Sequence, residues 1–181
     1  MKAIKNLLSL FAAVVAVMFS SCSNDDIPVS EPVTFKINPS TVISGFEEWN
    51  SGDLTALPAD FKLRVRLLVY NNKGYLVASS TETFSDYSHI MTSSQRLEVG
   101  AYTIVTLTDV ITKTDGNFAW TLSNEHSLTT LKLTKSQFIR ERFGILGIET
   151  KKVNVTSSTK NISIDVKPAG AVAIVYYYNW S

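Results

Sequence analysis

From residue 33 onward, apolar and polar side chains alternate along much of the chain, which is the two-residue period of a β-strand with one buried face. In the segment VTFKIN, Val33, Phe35 and Ile37 alternate with polar residues until the pair Asn38-Pro39 ends the pattern. Proline cannot donate a ladder hydrogen bond, so this segment predicts a first strand that stops before it.

The segment FKLRVRLLVY, residues 61–70, is the clearest strand in the sequence. One face carries Phe61, Leu63, Val65 and Leu67, and the other carries Lys62, Arg64 and Arg66. Leu68 and Tyr70 then make the far end apolar on both faces, as in a strand that runs beneath a covering element. The next four residues, NNKG, predict a hairpin turn because Asn and Gly tolerate positive φ angles.

Further strand patterns recur at short intervals, with turn residues between them. They are YLVASSTETF, QRLEVG, AYTIVTLTDVI, FAWTLS, LTTLKL, KKVNVTS, KNISIDV and GAVAIVYYYNW. This spacing is typical of all-β domains, and we predict an antiparallel Greek-key β-sandwich over residues 33–181. Residues 136–143 (SQFIRERF) fit either a short helix capped by Ser136 or an irregular crossover between sheets.

The first 21 residues have the layout of a secretory signal peptide. Lys2 and Lys5 form a basic start, and residues 7–19 form an apolar run that only Ser9 interrupts. This run is shorter than the roughly 20 residues that a transmembrane helix needs. Without the segment, the chain carries 15 basic and 16 acidic residues. Such a balance argues against a nucleic-acid partner, because nucleic-acid binders usually present a basic surface.

Cys22, the one cysteine in the sequence, directly follows the predicted cleavage point. A single cysteine excludes an internal disulfide and any multi-cysteine metal site. The segment VMFSSC resembles a bacterial lipoprotein lipobox, although Phe19 stands where Leu is commonest. We therefore expect acyl chains on Cys22 to anchor the protein in the outer membrane. The alternative is ordinary secretion with a free thiol, which would be a liability in an oxidising compartment.

Residues 22–32 comprise the lipidated cysteine and a flexible tether to the first strand. The tether starts with Ser23, Asn24, Asp25 and Asp26, which resemble the surface-export signal of lipoproteins from Bacteroides-like bacteria. A solvated acidic linker is the alternative interpretation of these four residues. The export signal would place the protein on the cell surface.

Four stretches together resemble the fimbrillin superfamily of Bacteroides-like bacteria, which includes pilus subunits and fimbrial anchor or tip lipoproteins. They are CSNDD after the lipobox, LRVRLLVYNNKGYLV (63–77), LEVGAYTIVTLTD (97–109) and GIETKKVNVTSSTKNISIDVKPAGAVAIVYY (147–177). The resemblance covers most of residues 33–178. It implies a transthyretin-like sandwich that acts, without catalysis, in fimbria or pilus assembly, anchoring or adhesion.

Two departures from the family pattern affect the expected role. Family members usually have two sandwich domains, and this sequence carries one, so the second is absent or truncated. In polymerising members, an arginine-directed protease is thought to remove the N-terminal strand and open a groove for a neighbour's strand. This chain has no arginine between Cys22 and Leu63, and the first arginine is Arg64 within a predicted strand. The resemblance therefore implies an anchor or adhesin that keeps its lipid.

Catalytic and metal-binding patterns are weak in this sequence. It has no Gly-rich phosphate loop, HExxH or GxSxG motif. Asp86, Ser88 and His89 could form a Ser/His/Asp set, but triad members normally come from separate segments. Asp109 and Asp115 lack the spacing of a calcium loop. We therefore expect no enzymatic activity, no cofactor and no metal.

Two modes of binding remain open. The last predicted strand, AVAIVYYYNW (171–180), is almost entirely apolar, so it must pair within its own domain or in a pilus subunit by strand exchange. Alternatively, the protein is a surface glycan-binding lipoprotein of a polysaccharide-uptake system. That function would use exposed aromatic residues such as Trp49, Tyr87 or Trp180 as stacking platforms, whereas Trp120 is at least equally a core candidate.

Overall fold

The computed structural model describes residues 31–40, 42, 57, 59–112, 120–135 and 146–169. Ten strands follow one another in these parts of the chain. They are β1 (Val33–Asn38), β2 (Phe61–Asn71), β3 (Leu76–Phe84), β4 (Met91–Gln95), β5 (Gly100–Thr112), β6 (Trp120–Ser123), β7 (Lys132–Lys135), β8 (Gly147–Val155), β9 (Asn161–Asp165) and β10 (Lys167–Pro168).

Two sheets pack face to face. The larger has five strands in the order β10-β8-β5-β2-β3, and the smaller has three in the order β4-β1-β9. Their facing side chains form one core that includes Phe35 from β1, Val65 from β2 and Ile164 from β9. The predicted all-β sandwich is therefore confirmed, and its Greek-key connectivity stays a prediction.

The pairing of the described strands is antiparallel, as predicted, with one exception. β1 pairs in parallel with β9, with Phe35 opposite Ile162 and Ile37 opposite Ile164. β8 ends in the large sheet at Val155 and β9 begins in the small sheet six residues later. The chain thus changes sheets over a short turn and approaches β1 in the parallel direction.

The outer face of the large sheet is partly covered. β6 and β7 pair as an antiparallel hairpin, and residues 120–135 are called the covering hairpin here. Beneath it, Leu68 and Tyr70 of β2 pack with Val105 and Leu107 of β5 as a second buried cluster. The prediction that the end of β2 runs beneath a covering element is confirmed, because both of its faces are apolar and both are buried.

The turn between β2 and β3 forms where the sequence predicts it. Gly74 has a φ angle of 80°, which favours glycine, and its N–H donates to the carbonyl of Asn71 over 2.9 Å. The Asn71 side-chain oxygen accepts hydrogen bonds from the N–H groups of Lys73 and Tyr75, each 3.0 Å long. The asparagine side chain therefore adds two hydrogen bonds to the backbone hydrogen bond that closes the turn.

β4 is a strand that the sequence pattern did not reveal. Its sequence MTSSQ is mostly polar, yet Met91 and Ser93 are buried where they face the core. The strand forms because it completes the ladder along one edge of β1. The predicted helix or crossover at 136–143 and the predicted last strand at 171–180 lie outside the described residues.

Substitution of Gly147 by Ala should destabilise the fold. A methyl group there would overlap the Thr108 hydroxyl and lie 2.5 Å from a methyl of Val42 and 2.9 Å from one of Val166. We expect the free energy of unfolding to fall by about 1–3 kcal/mol in chemical denaturation, because the packed core has no room for the added group. Gly100→Ala is the matched control, since the nearest atom would be 3.8 Å away. Equal stability of the two variants would contradict this packing argument.

Candidate functional site

Most of the site residues predicted from the sequence lie outside the described part of the chain. These are Cys22, Ser23, Asn24, Asp25, Asp26, Trp49 and Trp180. Tyr87 is described, and it lies in the main core with 2% of its surface exposed. Tyr87 therefore offers no free ring face to a ligand, which corrects the prediction for this residue. Its position follows from the turn after β3, which directs the ring between the two sheets.

β1 is the part of the described structure that relates most directly to strand-based assembly. It lies in the middle of the small sheet, with β4 on one edge and β9 on the other. Val33, Phe35 and Ile37 are at most 1% exposed and point into the core. Both backbone edges of β1 are thus paired with neighbouring strands, and its apolar face is packed in the core.

Polar contacts at both ends of β1 add to this pairing. At its start, the Thr34 N–H donates to the carbonyl of Lys160 over 2.8 Å. At its end, the Asn38 amide donates to the Asp165 carboxylate over 3.1 Å, and the Asn38 carbonyl accepts from the Val166 N–H over 3.0 Å. Withdrawal of β1 would expose a groove between β4 and β9 that is lined by core residues.

Arg64 and Asp109 form a buried ion pair on the outer face of the large sheet. They stand opposite each other in the β2–β5 register, and two parallel hydrogen bonds of 2.8 Å join the guanidinium to the carboxylate. Bidentate pairs of this kind are among the stronger side-chain interactions. Burial raises the pKa of Asp109, and the charge and hydrogen bonds of Arg64 oppose that rise.

The same pair holds the covering hairpin. Arg64 donates to the backbone carbonyl of Trp120 over 2.9 Å, and the Trp120 N–H donates to Asp109 over 3.2 Å. Farther along β2, Arg66 contacts Glu125 at 2.6 Å, and the Tyr70 hydroxyl donates to the carbonyl of that glutamate. Sequence reasoning placed Arg64 and Arg66 on one face of the strand but could not identify their partners, which come from distant segments.

Asp86, Ser88 and His89 do meet in space, but their geometry differs from that of a catalytic triad. The Ser88 hydroxyl and the His89 Nδ1 both contact the same Asp86 oxygen, at 2.6 and 2.9 Å. A triad instead requires the serine to donate to the histidine, which then activates it. The His89 ring also stacks on Phe84, with centroids 5.4 Å apart. The cluster is therefore a hydrogen-bonded turn.

Metal-binding geometry is equally absent from the described residues, where no three His, Cys, Asp or Glu side chains form a group that could hold an ion. Asp109, weighed above as a calcium ligand, has both oxygens occupied by Arg64. Asp115 lies outside the described residues. In the described part of the chain, no helix is long and apolar enough to cross a membrane.

Comparison with known proteins gives distant structural similarities. No protein-family model and no curated protein matches the chain. A proposed adhesin from Bacteroides thetaiotaomicron has a TM-score of 0.49 and 14% identity, over 78% of this chain and 46% of that one. A proposed polysaccharide-binding protein from the same species has a TM-score of 0.46 and 18% identity, over 76% of this chain and 46% of that one.

The fimbrial anchor protein Mfa2 from Porphyromonas gingivalis is also similar, with a TM-score of 0.39 and 15% identity over 76% of this chain and 50% of that one. The chain thus spans about half the length of these structures. With TM-scores below 0.5, the similarity does not assign a function to this chain.

Removal of one member of the Arg64–Asp109 pair should strongly destabilise the protein. Arg64→Met leaves a buried carboxylate without a cation, and Asp109→Leu leaves a buried guanidinium without an anion. Each should lower the free energy of unfolding by about 3–5 kcal/mol. The double variant should lose less than either single variant, because it leaves no uncompensated charge.

Chemical denaturation of the wild type, both single variants and the double variant measures this coupling. Lys62→Met, on the same strand and face, is the control, and it should change stability by no more than about 0.5 kcal/mol. Losses that simply add in the double variant would show that the two side chains act independently.

Asp86→Asn should make stability less dependent on pH. Hydrogen bonds from the Ser88 side chain and backbone, followed by one from His89, hold the pKa of Asp86 well below its usual range. A carboxyl with a depressed folded-state pKa stabilises the fold above its unfolded pKa of about 3.9, and this contribution is lost in acid. Urea unfolding should therefore show a higher free energy of unfolding for the wild type than for Asp86→Asn at neutral pH, and this gap should shrink as the pH falls below about 3.9 toward the lowered folded-state pKa of Asp86. Ser88→Ala should narrow the gap in part, and a gap that is constant with pH would refute the assignment.

Proposed function

We propose that this protein is a lipid-anchored, non-catalytic surface protein that acts in fimbrial anchoring or adhesion. The observation that carries the proposal is the position of β1. The lipidation candidate Cys22 precedes the first residue of β1, Val33, by a short tether, and β1 is the central strand of its sheet.

This arrangement suits a protein that must bear a pulling force. Tension between the membrane and the domain would act along β1 from its N-terminal end. Because β1 pairs with β4 and β9 along its length, hydrogen bonds on both edges would share the load. The apolar side chains Val33, Phe35 and Ile37 would also have to leave the core together before β1 could slide.

Retention of β1 favours an anchor or adhesin over a shaft subunit. In the fimbrillin superfamily that the sequence resembles, polymerisation is thought to follow removal of the N-terminal strand at an arginine. The first arginine of this chain, Arg64, is buried in β2 and bound to Asp109. Cleavage there would also cut a central strand of the large sheet. A domain that keeps β1 keeps its attachment to Cys22.

Partner contacts would then be made by other surfaces, with pilus subunits as the proposed partners in fimbrial anchoring. The described strands that an incoming strand could meet are β3 and β10, at the edges of the large sheet, and β4 and β9, at the edges of the small sheet. Of the three aromatic residues predicted to stack on a glycan, Tyr87 is buried, and Trp49 and Trp180 lie outside the described residues.

Cys22→Ala should abolish lipid attachment in the bacterial host. Metabolic labelling with palmitate should label the wild type and Ser23→Ala, which serves as a matched control, and should leave Cys22→Ala unlabelled. Protease treatment of intact cells should remove the wild-type protein if it is exposed on the surface. In Cys22→Ala cells, fimbriae should appear in the medium instead of the cell pellet if the protein anchors them.

N-terminal analysis of the surface protein separates the two maturation routes. A blocked, acylated Cys22 would support an anchor that retains β1. A mature start near residue 60 would instead mean that β1 is removed, and the anchor proposal would be wrong. Copurification of pilus subunits with both the wild type and Cys22→Ala would support fimbrial anchoring, and its absence from both would indicate independent adhesion.

A further inference from the structure

A depression lies on the outer face of the large sheet, beyond the end of the covering hairpin. β2 ends at Asn71, which pairs with Tyr102, so β5 continues past β2 at this end. β5 and β8 remain paired there, with Ala101 opposite Asn154 and Thr103 opposite Lys152. Asn72, in the turn after β2, stands at the side of the two extended strands.

The depression is broad and open to solvent, with a volume of about 460 Å³. Cross-strand partners point to the same face of a sheet, so the four residues of the two pairs share its floor. Ala101 is the smallest of them, and Tyr102 and Val153 also line the depression. The depression is thus a product of strand length and register.

The side chains that line the depression include two amides, a hydroxyl group and an ammonium group. Asn72 and Asn154 each carry an amide that can both donate and accept, and Thr103 carries a hydroxyl that can do the same. Lys152 supplies a positive charge, and none of the described residues that line the depression is acidic. Within the described part of the chain, the Lys152 ammonium makes no ion pair.

The neighbouring lysine, Lys151, differs from Lys152 because its ammonium has a hydrogen-bond partner. Lys151 points to the opposite side of β8, where its ammonium donates to the carbonyl of Ser163 in β9 over 2.9 Å. Lys151 therefore links the two sheets of the sandwich, whereas Lys152 makes no such contact with the described strands of the small sheet. Its free ammonium stands beside amides that can bind hydroxyl groups.

We propose that this depression binds a carboxylated sugar residue, such as a uronic acid. The sugar hydroxyls would bond to Asn72, Thr103 and Asn154, and the carboxylate would pair with Lys152. A simple inorganic anion would fill only a small part of the volume, and a neutral sugar would make no charge-assisted contact with Lys152. Through this site the surface protein would bind sugars that carry a carboxylate. The sugar-binding proposal does not depend on whether Cys22 is acylated.

Titration of the purified full chain with methyl β-glucuronide tests the proposal, with methyl β-glucoside as the uncharged counterpart. Ligand-observed NMR should detect the glucuronide with a dissociation constant of about 1 mM, as befits a single sugar in an open site. The glucoside should bind about tenfold more weakly, because it loses the charge-assisted contact.

Lys152→Met should weaken glucuronide binding by about tenfold, to the level of the glucoside. Lys151→Met removes the same charge from the adjacent position on the other face and should leave binding unchanged. Asn154→Ala should weaken the binding of both sugars, because both would bond to its amide. Thermal unfolding of each variant verifies that the fold is intact.

Three results would overturn the proposal. They are equal binding of glucuronide and glucoside, equal loss with Lys151→Met and Lys152→Met, and no detectable binding of either sugar by the intact wild type. The second would indicate attraction by overall charge instead of a site. None of these results bears on lipid attachment or fimbrial anchoring, so the two proposals can fail separately.

Discussion

The structure depends on a central pair of strands, β2 and β5, whose middle residues are buried on both faces. Such burial stabilises the domain through apolar contacts but leaves little room for charge. Arg64 and Asp109 are tolerated there because they stand opposite each other and satisfy one another with two hydrogen bonds of 2.8 Å. Arg64 also donates to the carbonyl of Trp120, and Asp109 accepts from the N–H of Trp120. One ion pair therefore joins the two longest strands and fixes the covering hairpin above them.

β1 imposes the second constraint, since it is the link between the sandwich and whatever precedes it. A strand at the edge of a sheet could peel away one hydrogen bond at a time, whereas β1 is held along both edges. Its three apolar side chains are also part of the main core. The same features that make β1 a firm attachment would make its removal expose a long apolar groove. The anchor role that we propose relies on the first of these properties.

The two surfaces that we connect with function are at different places in the fold. The proposed tether would join the small sheet at the start of β1, while the depression with Lys152 lies on the outer face of the large sheet. Attachment and recognition could therefore operate without interfering with each other. The covering hairpin separates the fully buried part of the large sheet from its open end, because β5 and β8 extend past it.

The local pattern of the sequence was enough to predict the sandwich, the strands β1, β2 and β5, and the turn at Gly74, because alternation and turn chemistry are properties of neighbouring residues. It missed β4, whose polar sequence becomes a strand only beside β1, and it misplaced Tyr87, whose burial depends on two sheets closing over it. The parallel pairing of β1 with β9, the partner of Arg64 and the depression at Lys152 all join segments that are far apart in the chain. Tertiary structure decided these features, because register and sheet order, not local periodicity, determine which distant side chains meet.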